Sequence, residues 1–294
     1  MLKRLYSTIQ SGSKYTNDFK TYLKLDNGKI GSFFHDVPIN YNPTDKTVNM
    51  VVEIPRWTNG KFEINGDLPC NPIIQDTKKG KLRFVNNIYP HHGYPHNYGA
   101  IPRTWENSTK ITEFSKDLKL SGDNDPLDII DIGSEILKIG DIKKIKILGS
   151  LALIDDGELD WKIIGINSTD KLFNELHNLN DVNLKMPNLL NDIKRWFKIY
   201  KLPTGKSENN FAFNGEFKDQ DFTINIINEC HKDWENLIYN KINTSETDNL
   251  PINLNSTIEN SPGFTEFNES DLNLKPIGKD ADIPKDVDDV FYYK

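Results

Sequence analysis

Three aspartates, Asp123, Asp125 and Asp128, fall within one run, Gly122-Asp123-Asn124-Asp125-Pro126-Leu127-Asp128. Like charges this close repel, and burying one without a partner is costly. An Asp-x-Asp on a loop is most often a solvated turn. Here Leu127, Ile129, Ile130 and Ile132 carry a strand-like apolar pattern straight through the acids. Asp123 and Asp125 share a parity that Asp128 does not, so a bend at Pro126 is needed for all three to meet. Oxygen donors at this density suit Mg²⁺ or Ca²⁺. An EF-hand is a poor fit, because Pro126 stands where loop ligands should continue and the required Gly and Glu are absent. So small a cluster leaves part of a hard cation's shell to water or to substrate phosphate.

A second acidic group, Asp155, Asp156, Glu158 and Asp160, precedes Trp161-Lys162. Glu53 and Glu63 lie on earlier β-patterned segments. Cations and phenols are interleaved with these acids: Lys61, Arg83, Tyr94, Tyr98, Lys162, Tyr200 and Lys201. Any one pair is ordinarily a surface ion pair. Together they describe a site for a multiply charged anion held between metals and cations, and the expected chemistry is phosphoryl transfer to water. His91, His92 and His96 do not have the spacing of a common zinc motif and have no cysteine nearby. They read as a shaped loop presenting Tyr94 and Tyr98.

Short β-runs must position these groups. Residues 17–30 read as a strand and hairpin turning at Asp26-Asn27-Gly28. Residues 47–54 form a β-run whose imperfect alternation implies cover on both faces. Asn59-Gly60 is a second hairpin signal, leading into Lys61-Phe62-Glu63-Ile64. Residues 81–85 and 141–155 are further strands, the second turning at Asp155-Asp156-Gly157 into Trp161–Ile166. Such a series of strands suggests a closed or partly closed barrel. The period then changes. Met186-Pro187 opens an amphipathic helix that Pro203 stops, and residues 219–239 form another, with Ile227, Cys230, Trp234, Leu237 and Ile238 on one face. From Ser245 the chain is acidic and rich in Asn, Ser and Pro, with 11 acids against 4 lysines. It reads as an extended tail that wraps the domain or stays mobile.

The net charge of −7 over 294 residues argues against a nucleic-acid backbone binder, which would be basic. The apolar runs are far too short for a membrane span. Two cysteines, Cys70 and Cys230, read as free thiols rather than a disulfide scaffold. Met1 to Asn17 holds Lys3, Arg4 and Lys14 among serines and threonine with no acid, the composition of a mitochondrial transit peptide. Arg4-Leu5-Tyr6-Ser7 resembles a matrix-processing site cut after Tyr6. The expected organisation is a disordered leader at 1–17, a catalytic domain at 18–244 and the acidic tail at 245–294.

Several blocks carry a resemblance. Val52-Glu53-Ile54-Pro55-Arg56-Trp57, Asn71-Pro72-Ile73-Ile74-Gln75-Asp76, Pro90-His91-His92-Gly93-Tyr94 with Asn97-Tyr98-Gly99, the Asp-x-Asp-Pro-x-Asp run, Asp155 to Lys162, and Phe197-Lys198-Ile199-Tyr200-Lys201 stand in this order. Over residues 17–239 the chain resembles the family I soluble inorganic pyrophosphatases of the eukaryotic, fungal-type branch. The resemblance implies an α+β, β-rich fold: an OB-like five-stranded β-barrel with flanking helices and extended termini. It implies hydrolysis of inorganic diphosphate with several Mg²⁺ ions per site. Asp123, Asp128 and Asp160 would bind the activating metal, with Asp128 bridging to a second. Asp155 and Asp160 would bind the metal that arrives with substrate, Glu63 would assist a further one, and Glu53 would join the acids of the pocket. Asp125 would deprotonate the attacking water. Arg83, Tyr200 and Lys201 would hold one phosphate, Lys61 and Tyr98 the other, with Lys162 and Tyr94 completing the pocket and Tyr94 in proton transfer. A homodimer is implied by the branch. The competing reading is a non-enzymatic OB-fold binding module, which would present aromatics on a basic strand face.

Overall fold

The computed structural model describes residues 6–116, 118–242 and 249–293. Its strands run β1 (Ser7–Ser11), β2 (Lys20–Lys24), β3 (Ile30–Gly31), β4 (Thr47–Ile54), β5 (Phe62–Ile64) and β6 (Ile73–Gln75). A small ribbon follows, β7 (Thr77–Lys78) with β8 (Lys81–Leu82), then β9 (Asn97–Ala100) and a second ribbon, β10 (Ile111–Ser115) with β11 (Leu118–Ser121). Next come β12 (Asp128–Asp131), β13 (Ile142–Asp155) and β14 (Glu158–Asn167).

Five of these strands close into the OB-like barrel. β4 pairs with β9, β9 with β12, β12 with β14, β14 with β13, and β13 returns to β4. The β12–β14 pair is parallel and the other four are antiparallel. β13 closes the ring because its 14 residues serve two neighbours. Ile142–Lys146 bond to β4, and Ile145–Asp155 bond to β14. A register shift between Ile147 and Gly149 bends the strand between the two tasks, as a bulge does in small barrels. Apolar residues fill both faces of the wall. Ile129 and Ile163 belong to one buried cluster, and Ile130 and Ile164 to the other. This explains the imperfect alternation of β4, where Met50 and Val52 face one cluster and Val51 and Ile54 the other.

Outside the barrel lie α1 (Leu179–Lys185), α2 (Leu189–Ile199) and α3 (Gln220–Ile238), and a one-turn helix, α4 (Lys285–Asp288), follows in the tail. α1 is capped by the Asn178 side chain and was not expected, because its seven residues bury only Val182 and so carry no stripe. α2 buries Leu190, Ile193, Trp196, Phe197 and Ile199. α3 begins on an Asp219 cap and buries Ile227, Trp234, Leu237 and Ile238, with Cys230 half-buried. Both cysteines are free.

Two expectations need correction. Asn59-Gly60 is not a hairpin turn. The Asn59 side chain is buried, donating to the Val85 carbonyl and to Asn87 Oδ1, while Gly60 bridges to Phe84. The turn signal marks a crossing of two segments instead. Nor is the expected leader an unstructured tail over its described part. Ser7–Ser11 is paired with β2 at five positions, and Ile9 packs against the cluster of Tyr22, Ile30 and Cys70. The strand Ser-Thr-Ile-Gln-Ser is almost wholly polar, so its composition hid it. Residues 1–5 lie outside the described residues.

Residues 249–293 run over the domain surface. Ile252 N–H donates to Gly66 O, Ser256 N–H to the buried Asp36 carboxylate, and Ile30 N–H to Phe267 O. Further on, Gly12 N–H donates to Lys275 O, Ala281 N–H to Lys14 O, and Phe291 N–H to Asn87 O. No helix among the described residues is long and apolar enough to cross a membrane.

Candidate active site

The barrel's acidic mouth begins with a bend. Asn124 sits in the left-handed region at φ 78°, which Asn tolerates better than most residues. Its amide is held on every side: Oδ1 accepts from Trp105 Nε1–H and Ser108 Oγ–H, and Nδ2–H donates to Asn249 O. Gly122 lies so close to the Glu106 backbone that a Cβ would meet it at 2.4 Å. The bend thus centres on Asn124. Asp123 and Asp125 come to one side of it, with Asp125 N–H donating to Asp123 Oδ1 at 3.0 Å. Asp128 then opens β12.

Neighbouring strands supply the rest. Glu53 falls at the register shift between Val52 and Ile54 on β4, where a bulge turns its side chain into the barrel mouth; its Oε1 accepts from Ile64 N–H at 2.7 Å. Tyr98 on β9 donates to Asp128, and Lys162 on β14 bonds Tyr98 Oη, Asp128 and Asp160. The β13–β14 turn presents Asp155 to the end of α2. There Tyr200 Oη–H donates to Asp155 at 3.1 Å and Lys201 pairs with it. The negative end of α2 suits the Lys201 cation. Lys61 pairs with Glu63, and Arg83 with Asp76. Tyr94 is buried, edge-on to Tyr98 and tilted against Trp196.

All fourteen residues singled out from the sequence line a single cavity of about 210 Å³, smaller than the roughly 300–1,000 Å³ of sites for drug-sized ligands. Nine carboxylates line it (Glu53, Glu63, Asp123, Asp125, Asp128, Asp155, Asp156, Glu158, Asp160) against four cations (Lys61, Arg83, Lys162, Lys201). The excess shows in the protonation equilibria. Burial, then the Asp123 and Glu63 charges, push the Asp125 carboxyl well above its ordinary range. Burial and Asp128 raise Asp123 to about 7, and burial and Asp128 also raise Glu53 well above its usual value. Burial likewise raises the Tyr94, Tyr98 and Tyr200 phenols, which stay protonated as donors. Nine hard oxygen acids around four cations fit divalent cations of the magnesium class.

Three contributors escaped sequence reasoning. Glu106 is 3% exposed, with carboxylate oxygens of Glu106, Asp123 and Asp160 mutually within 4.8 Å. Asp76 holds both Lys61 and Arg83. Asn124 forms the bend. Asp76 and Asn124 lie inside the motif blocks but outside the acid–cation pattern, and Glu106 lies in a Thr-Trp-Glu segment that carries no motif.

Barrel and cavity together define the class: an OB-like barrel whose mouth gathers nine acids around four cations. A family model described as "Inorganic pyrophosphatase" matches residues 50–235. The mitochondrial inorganic pyrophosphatase of Saccharomyces cerevisiae is 56% identical over 249 residues, 84% of this chain and 80% of that protein. Among solved structures, the inorganic pyrophosphatase of Schistosoma japonicum superposes with a TM-score of 0.88 at 37% identity, covering 98% of this chain and 100% of its own. The N-terminally truncated vacuolar soluble pyrophosphatase of Trypanosoma cruzi, in complex with PPi, superposes at 0.73 and 38% identity, covering 82% and 93%. The chain belongs to the inorganic pyrophosphatase family, enzymes that hydrolyse inorganic diphosphate.

Proposed function

We propose that the protein hydrolyses inorganic diphosphate to two phosphates with Mg²⁺ in the acidic half of the cavity. The observation that carries this reading is the arrangement of charge: lysines already sit on the carboxylates that would hold metal. Lys162 bonds Asp128 and Asp160, and Lys201 bonds Asp155. Asp123, Asp128, Asp155 and Asp160, with Glu53 and Glu63 in support, would hold the divalent cations, and Lys162 and Lys201 would then be free to face the phosphates. Bound magnesium supplies neutralisation of the diphosphate charge and a lowered pKa for the attacking water.

The chain's own groups do the rest. Asp125 takes the water proton on its carboxylate, for which nearby positive charge must keep it ionised before the step. Arg83, Tyr200 and Lys201 hold one phosphate, and Lys61, Tyr98 and Lys162 the other, as charge-assisted donors. Tyr94, kept protonated by burial, serves the proton-transfer step as a hydrogen-bond donor towards the leaving phosphate.

Phosphate release from diphosphate should require added Mg²⁺ and stop in EDTA; metal-independent release, or none, overturns the reading. Asp125→Asn should bind Mg²⁺ normally yet lose about 10²–10⁴-fold in turnover. A near wild-type rate removes Asp125 from the role of base.

Mitochondrial location and a homodimer belong to the same proposal. The name of the yeast relative and the Arg4-Leu5-Tyr6-Ser7 segment support the first. Import of a reporter fused to residues 1–17 tests it, and sedimentation of the purified protein tests the dimer.

A further inference from the structure

Glu106 lies behind the cavity, where no role has been assigned to it. Its Oε1 accepts from Trp161 N–H at 3.0 Å, which fixes the carboxylate beside β14. Its Oε2 is buried and has no hydrogen-bond partner. A buried carboxylate oxygen without a donor or a cation is costly and calls for one. The nearby cations are committed elsewhere: Lys162 to Asp128 and Asp160, and Lys110 to Asp233 at 3.3 Å. Its neighbours are the Cys230 thiol, whose pKa it helps burial to raise, and two more acids, Asp123 and Asp160, with oxygens of all three inside 4.8 Å of one another. That spacing fits donors around one hard cation, directly or with a water between. The fold invests in the placement. Asn124 N–H donates to Glu106 O, Glu106 N–H donates to Asp125 O, and Gly122 leaves room for this backbone contact.

We infer that Glu106 is a third carboxylate of the cation site formed by Asp123 and Asp160, gripping the ion from the side opposite the substrate. The inference rests on the reading that Asp123 and Asp160 hold a divalent cation. Its consequence is tighter resting metal: Glu106 contacts no substrate position, so it acts on metal affinity rather than on diphosphate recognition.

Glu106→Gln keeps the acceptor for Trp161 N–H and removes the charge. Calorimetric titration of the substrate-free variant with Mg²⁺ should show the tight site weakened by ~10-fold or more. Metal-free thermal stability should be equal or higher, because one of three crowded charges is gone. At saturating Mg²⁺, KM for diphosphate should stay near the wild-type value. Unchanged Mg²⁺ affinity overturns the inference, as does lowered metal-free stability with unchanged affinity, which marks a purely structural residue. If the wild type itself binds no Mg²⁺, the metal reading fails rather than the Glu106 assignment alone. A measurement independent of the variant is anomalous diffraction from wild-type crystals soaked in Mn²⁺. The ion near Asp123 and Asp160 should lie within about 4.5 Å of a Glu106 oxygen, the reach of a direct bond or one intervening water; an ion farther away overturns the inference even if Glu106→Gln fails to fold.

Discussion

Asn124 carries the geometry that lets two aspartates share a task. Its left-handed backbone and three side-chain bonds hold Asp123 and Asp125 on one side of the bend. Asn124→Ala removes all three bonds and puts in the left-handed region a residue that tolerates it less well than Asn. The expected loss is about 1–3 kcal/mol of stability, read by denaturant unfolding, with weaker Mg²⁺ binding beside it. The same position explains what was and was not legible. The interleaving of acids, cations and phenols suggested a site for a charged anion, and the resemblance of the motif blocks to a known family singled out fourteen side chains for roles in it. Asn124 was invisible, since its role depends on a φ angle and on partners in two other segments. Glu106 was invisible for a different reason: a single Glu after Trp is unremarkable until the fold sets it beside Asp123 and Asp160.

The segments that hold these side chains differ in how plainly they announced themselves. β13 and α3 carried long apolar patterns and β4 an unbroken β-run, and their expected and observed limits agree closely, whereas α2 is shorter at both ends than the span from Met186 to Pro203 suggested. β1 and α1 bury little of their own and depend on neighbours, so pattern reasoning passed over them. The link between α3 and the tail is a buried histidine. Trp234 Nε1–H donates to His35 Nδ1 at 2.9 Å, so the ring proton sits on Nε2 and is given to Ile252 O at 2.8 Å. Burial lowers the His35 pKa to about 4 from 6.5. Between those values the unfolded chain takes up a proton that the native ring refuses. Its contribution is therefore intact above about pH 6.5 and is lost as pH falls towards 4. Melting temperature should decline through that window, and limited proteolysis near Ile252 should rise with it. His35→Gln should flatten that part of the pH dependence.

Across the entire chain, the termini meet. Ser11, Ser13 and Lys14 bond to Lys275, Gly278 and Ala281. Two truncations separate leader from structure. A chain beginning at Ser7 should melt like the full protein. A chain beginning at Asp18 strips β1 from β2 and unties the tail, and should melt several degrees lower with faster proteolysis of residues 249–293. Equal melting of the two would show that β1 adds nothing to stability.

The same clasp sets an order of events during synthesis. The barrel strands lie between Thr47 and Asn167, so the ring can close before the remaining 127 residues (168–294) have left the ribosome. β1 emerges first and has β2 as an early partner, yet the residues around Lys275 that bond Ser11 and Gly12 are among the last made. For most of translation the junction after β1 is unclasped, and the final stretch of chain fastens it.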